Sequence, residues 1–227
     1  MTSDVKPSQN TERLMRVLDH HAISLVFDVG ANEGQYGDRL RRAGYQGRIA
    51  SFEPISAAHT ALTERAAGDD RWTVPSPMAL ADRAGKAEIN VSAHSDMSSL
   101  RDYTAEMADL LDGAKFVSTE TVRLARLDDI INGFAGAEDR VLLKIDTQGT
   151  EDLVLEGASG CLDRIALLQL ELSIVPVYEG TRGFTDMISY LAGLGFAPVL
   201  FLPGYFNRRT ARLIEMDGVF ARTGSAQ

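Results

Sequence analysis

The chain has 227 residues and a formal net charge of −9, with a sequence pI near 4.9. That length allows one large domain with a real core, and the composition excludes a collagen-like, repetitive or disordered chain. The acidic balance argues against a nucleic-acid phosphate backbone as the main partner. Two basic clusters, Arg39, Arg41 and Arg42 and then Arg208, Arg209 and Arg212, read as solvated faces. The single cysteine, Cys161, rules out an internal disulfide and a zinc site of several thiolates, and fits a reducing cytoplasm. Residues 1–10 lack the apolar core of a signal peptide, and no apolar run is long enough to span a bilayer. The expectation is a cytoplasmic protein without an integral membrane segment.

In chain order, residues 1–10 read as a disordered tail, after which Asn10 or Thr11 caps a short helix with Leu14, Val17 and Leu18 on one face. Residues 23–227 read as one domain, with no linker and no internal boundary. Residues 24–30 form a buried strand ended by glycine, and 34–43 a helix stopped by Gly44. A second strand, 49–53, stops at Pro54, and Ser56 caps a helix to about Ala67. Residues 72–80 are a third strand candidate. Pro75 and Pro77 remove ladder donors there, so it belongs at a sheet edge. Residues 83–125 differ in character: 87–92 and 119–125 read as short strands around a polar stretch, an excursion lying over a site. A short helix at 127–131 precedes the nearly all-apolar strand 141–145, as a central parallel strand requires. A helix (150–158), a buried strand (165–172) and an amphipathic helix (184–194) follow, the last with Met187, Ile188, Leu191 and Leu194 inward. Strands at 196–202 and 212–222 close the chain as an antiparallel pair. This alternation calls for an α/β fold, a mostly parallel, doubly wound sheet.

The strongest local signal is Phe27-Asp28-Val29-Gly30-Ala31-Asn32-Glu33-Gly34, a strand running through a glycine turn into a helix. Glycine lets the backbone turn tightly and approach a ligand, and the helix start offers free N–H donors. Roughly twenty residues on, Glu53 ends the next strand, where a carboxylate can accept both hydroxyls of a ribose. Together these describe a nucleoside crevice. The dinucleotide fingerprint needs G-x-G-x-x-G for a pyrophosphate. Here Asn32 stands at the second glycine, and Asp28 places a negative charge that suits an ammonium better than a phosphate. S-adenosylmethionine has a ribose, an ammonium and no phosphate, so it is favoured over NAD.

The segments Val26-Phe-Asp-Val-Gly-Ala-Asn-Glu-Gly34, Phe52-Glu-Pro54, Ala79-Leu-Ala-Asp82, Ser98-Ser-Leu100, Leu127-Asp-Asp129, Leu143-Lys-Ile-Asp-Thr-Gln-Gly-Thr-Glu151, Val154-Leu-Glu-Gly-Ala158 and Gln169-Leu-Glu-Leu-Ser173 occur in the order seen in FkbM-type methyltransferases. The chain resembles that family from about residue 25 to 222. The resemblance implies a Rossmann-like class I methyltransferase domain over residues 23–227, with a seven-stranded sheet whose last strand is antiparallel. It also implies S-adenosylmethionine as methyl donor and a hydroxyl acceptor on a sugar, glycolipid or polyketide. On this resemblance Asp28, Gly30 and Asn32 hold the methionine end, with Ala31 and Gly34 of the same turn. Glu53 holds the ribose beside Pro54. Ala79 and Leu80 flank the adenine, Asp82 is a candidate for its amino group, and Ser98 joins the donor site. Gln148 stands where the family often has an acidic residue.

Methyl transfer to an alcohol needs a group to take the proton. The candidates are Asp146, Glu171 and His94. Asp146 and Glu171 both end central strands, and as a pair they could instead hold a divalent cation such as Mg2+ that lowers the acceptor's pKa. Lys144 reads as pointing to the opposite face from the strand neighbours of Asp146, a structural residue. Glu151 opens a helix, where a carboxylate suits the macrodipole. Tyr178 reads as lining the acceptor pocket. Nitrogen methylation of a small molecule or protein is the main alternative. Asp146-Thr-Gln-Gly149 argues against the adenine and glutamine types, which resemble Asn/Asp-Pro-Pro-Tyr. A module that binds the donor without catalysis should have lost Asp28 or Glu53.

Overall fold

The computed structural model describes residues 8–93, 97–105 and 116–224. Its centre is a seven-stranded sheet. Strands β1 (Leu25–Val29), β2 (Arg48–Phe52), β3 (Trp72–Thr73), β7 (Val141–Ile145) and β8 (Ile165–Ser173) run parallel, and β9 (Phe196–Pro203) lies at the far edge. The last strand, β12 (Glu215–Arg222), runs antiparallel between β8 and β9, which gives the order β3-β2-β1-β7-β8-β12-β9.

Side chains alternate across a strand, so each central strand feeds two layers. Val26, Ile49, Leu142 and Leu167 face one side. They pack with Leu14 and Leu18 of α1 (Gln9–His20), Leu40 of α2 (Gln35–Arg42) and Leu62 of α3 (Ser56–Ala66). Phe27, Phe52, Leu143 and Leu168 face the other. They pack with Leu127 of α4 (Leu127–Ile130), Leu155 of α5 (Glu151–Gly157) and Leu191 of α6 (Phe184–Gly193). Each fully buried leucine stabilises by roughly 1.5–3 kcal/mol. Leu14 and Leu18 therefore tie the N-terminal helix to the same core as the strands.

Several boundaries differ from expectation. The first helix starts at Gln9, and its cap is Ser8, whose hydroxyl accepts the Thr11 N–H at 3.2 Å, not Asn10 or Thr11. Ser56 does not cap α3; Ile55 holds that position, and the Ser56 N–H is donated to the Glu120 carboxylate. The stretch 72–80 is two strands rather than one. The two prolines separate β3, on the sheet edge, from β4 (Ala79–Leu80), which joins a second sheet. That sheet has the order β4-β6-β5, with β5 (Gly85–Ser92) and β6 (Phe116–Ala125) as a long antiparallel pair. β5 and β6 belong to the excursion. The closing segment is also subdivided: β10 (Phe206–Asn207) and β11 (Arg212–Leu213) make a small hairpin before β12 begins.

Candidate active site

The register of the parallel strands builds the floor of the site. Ser51, Asp28, Lys144 and Gln169 are cross-strand partners in one row across β2, β1, β7 and β8. All four are buried. Trp72 Nε1 donates to Ser51 Oγ at 3.0 Å, and Ser51 Oγ donates to Asp28 Oδ2 at 3.2 Å. The Lys144 ammonium lies 3.0 Å from Asp28 Oδ1 and 3.5 Å from Asp146 Oδ2. Tyr36 donates its hydroxyl to Gln169 Oε1 at 2.7 Å. Burial opposes the charge on Lys144, but the carboxylates of Asp28 and Asp146 outweigh it and hold the ammonium above the usual lysine range.

A cavity of about 370 Å³ opens at the carboxyl ends of these strands, the usual ligand position in an open α/β sheet. The turn after β1 forms one wall. Gly30 has φ +71°, and a Cβ there would stand 1.8 Å from the main-chain oxygen of Asp146, so only glycine fits. Ala31 and Asn32 continue the wall, and Gly34, at φ +85°, starts α2. The buried Glu53 carboxylate accepts the N–H of Asn32 at 2.8 Å and of Ile55 at 2.9 Å. Burial pushes its pKa up to about 7 against those two hydrogen bonds. Pro54, Met78, Ala79, Leu80 and Ile89 add an apolar wall, and Ser98 and Leu100 close it from the excursion.

The other wall is acidic. Asp146, its side chain 38% exposed, follows β7 directly. Glu171 on β8 and Asp217 on β12 are register partners and also line the cavity. Burial and then the Asp146 charge drive Glu171 well above the usual carboxylate range. The same causes, in the same order, lift Glu215 to about 7 and Asp217 to about 6. Glu151 lies behind this wall. Its Oε1 accepts the N–H groups of Thr147 at 3.0 Å and Gly149 at 3.2 Å, and so shapes the loop carrying Asp146.

Most of the expected residues therefore meet in one cavity. Three do not line it. Asp28 is fully buried beneath the wall, with the Lys144 ammonium beside Oδ1 and Ser51 donating to Oδ2, and does not line the cavity. Asp82 lies outside the cavity and pairs with Arg83 at 3.0 Å. Gly34 serves the turn itself. His94 lies outside the described residues. Lys144, expected as a structural residue, is buried against Asp28 and also lines the cavity. Residues two apart on a strand share a face, so it projects with Asp146 into the site, as the same spacing in the sequence could have told. Tyr36, Arg39 and Asp217 also line the cavity, so Arg39, expected on a solvated face, belongs to the site. Tyr178 is buried and touches the site through Gln148.

A family model, the methyltransferase FkbM domain, matches residues 28–198. The chain belongs to the FkbM methyltransferase family. It is an S-adenosylmethionine-dependent methyltransferase. No curated protein sequence matches the chain. Solved structures agree in fold. The magnesium protoporphyrin IX methyltransferase of Synechocystis PCC 6803, with bound S-adenosylmethionine, is 13% identical, covers 95% of this chain and 79% of its own, and superposes with a TM-score of 0.51. Sp1610 of Streptococcus pneumoniae, in complex with S-adenosyl-L-methionine, is 14% identical with coverage of 95% and 74% and a TM-score of 0.51. The methyltransferase domain of bacterial CtHen1 is 11% identical, with coverage of 94% and 97% and a TM-score of 0.51. At these identities the likeness speaks for the fold alone.

The cavity of this FkbM domain suits the donor in size and in chemistry. It offers a buried carboxylate, main-chain groups at a glycine turn and an apolar slot. The expected divalent cation does not fit. Among the described residues no group of three or more His, Cys, Asp or Glu side chains could hold a metal. Between Asp146 and Glu171 stands the amide nitrogen of Gln148, 2.8 Å from one carboxylate and 3.3 Å from the other. Among the described residues no helix is long and apolar enough to cross a membrane.

Proposed function

We propose that the enzyme methylates a hydroxyl of a sugar-containing small molecule, glycolipid or natural product. The observation that carries this reading is the partly exposed Asp146 carboxylate at the end of β7, beside the glycine turn and Glu53 in one cavity. S-adenosylmethionine supplies an activated methyl group on a sulfonium. Glu53 accepts hydrogen bonds from the ribose hydroxyls. Gly30, Ala31 and Asn32 hold the methionine end through their main chain. Met78, Ala79, Leu80 and Ile89 flank the base. Asp146 takes the proton from the acceptor hydroxyl as the hydroxyl oxygen attacks the methyl carbon, and Lys144, 3.5 Å from Asp146 Oδ2, orients that carboxylate. Glu171 stands beside Asp146 at the acceptor end of the cavity. The acceptor is a small molecule, and the protein works in the cytoplasm.

Nitrogen methylation is the second reading. The excess of carboxylates over cations around the acidic wall favours an amine as well as a hydroxyl-rich acceptor. Incubation with radiolabelled donor and a panel of glycosides, glycolipids and matched amines separates the two. Label in an ether product supports the first reading. Label only in the amines overturns it.

A further inference from the structure

Two carboxylates at one site repel, and a protein must place something positive between them or protonate one. A divalent cation is a common solution and takes oxygen ligands only. In this enzyme the bridge is an amide. Gln148 Nε2 donates to Asp146 Oδ1 at 2.8 Å and to Glu171 Oε2 at 3.3 Å.

The amide is held in that sense. Tyr178 donates its hydroxyl to Gln148 Oε1 at 2.7 Å. A flipped amide would aim its oxygen at both carboxylates, two repulsive contacts in place of two hydrogen bonds. The main chain is fixed as well. Ser99 donates its hydroxyl to the Gln148 carbonyl at 2.6 Å, and Gln148 itself has φ +54°. Gly149 follows at φ +98°, where a Cβ would stand 2.8 Å from the Tyr178 side chain. Tyr178 is 1% exposed, so the lock has little room to move.

We propose that the Gln148 carboxamide takes the place of a divalent cation between Asp146 and Glu171, making Gln148 a positioning residue of a metal-independent site. Its two N–H groups give the carboxylates the hydrogen-bond partners that a cation would otherwise supply as charge. A cation entering this position would meet N–H hydrogens where it needs oxygen. The consequence for catalysis is geometric: one oxygen of Asp146 is pinned by the amide, and the other, beside Lys144, is left toward the cavity. The inference rests on the reading of Asp146 and Glu171 as the acceptor end, but its geometry does not depend on which acceptor is used.

The test uses the full chain and Mn2+ as probe, read by water-proton relaxation, with wild type, Asp146→Asn, Gln148→Glu and Gln148→Glu/Glu171→Gln. Gln148→Glu keeps the shape of the side chain and exchanges two donors for an acceptor. The expected result is that wild type and Asp146→Asn show the same weak, non-specific relaxation. Gln148→Glu gains one Mn2+ per chain, at least tenfold tighter, and the double variant loses it. One Mn2+ on wild type that Asp146→Asn abolishes overturns the proposal. So does a folded Gln148→Glu, checked by circular dichroism, that gains no Mn2+. If that variant does not fold, the comparison of wild type with Asp146→Asn decides alone. Failure to find hydroxyl methylation would leave the Mn2+ result standing, so the two readings fail separately.

Discussion

The two ends of the cavity are built by different means. The turn end is main chain and apolar surface: Gly30 against the Asp146 carbonyl, two N–H groups on Glu53, and the slot of Met78, Leu80 and Ile89. The acidic end is made of side chains that meet only because β7, β8 and β12 lie side by side. The first rests on main-chain turns at positive φ, at Gly30 and Asn32, and on apolar surface from several strands. The second needs the whole sheet, and it keeps several carboxylates in unfavourable proximity. Rigid main chain suits the half that must bind the same donor every time. Crowded side chains suit the half where a proton has to move.

The comparison can be broken first at Asp146. Asp146→Asn should lower turnover by roughly 10²- to 10⁴-fold, the usual worth of a general base, while donor affinity by calorimetry stays within a few-fold. A normal rate removes Asp146 from the chemistry. Lys144→Met tests the row beneath both ends. It leaves the Asp28 carboxylate buried and unpaired, which costs about 3–5 kcal/mol, so scanning calorimetry should show Tm lower by about 10 °C. An unchanged Tm would mean that the row does not couple the strands.

Glu53→Ala addresses the turn end alone. Two hydrogen bonds to a carboxylate are lost, together about 3 kcal/mol or more, so donor affinity should fall by about 100-fold. Unaltered affinity would sink the ribose assignment. The smallest effect is on pH. The pKa of Glu53 is raised to about 7 and those of Glu215 and Asp217 to about 7 and about 6. The folded state therefore holds more protons than the unfolded one between roughly pH 4 and 7. The contribution of these three groups to the stability of the ligand-free protein is full at the low end of that window and is lost as pH rises through it. Donor affinity should move the other way, falling by roughly tenfold from pH 8 to pH 6 as Glu53 protonates. A donor affinity that is flat over this range would show that Glu53 titrates elsewhere.

The fold and the turn end were legible because they are written locally. The run from Phe27 to Gly34 and the Phe-Glu-Pro at 52–54 carry their own geometry, and the strand–helix alternation sets the sheet. Asp28 was misread for a physical reason. Its position in the motif is visible, but whether it faces the ligand or the core depends on what stands beside it on β7. Lys144 answers that, through a register that no single segment contains. Asp217 and Tyr36 were silent for the same reason. Ser8 escaped as a cap because the tail before the helix looked merely polar.

One consequence follows from where β12 sits. It is the final strand of the sheet in sequence, yet it occupies an interior slot between β8 and β9. During synthesis, a nascent chain that has not yet delivered residues 215–222 leaves β8 and β9 with open, unpaired edges, the kind of surface that recruits other chains. Asp217 arrives with the same strand. The segment 215–222 must therefore be in place before these edges are covered and the acidic wall is complete.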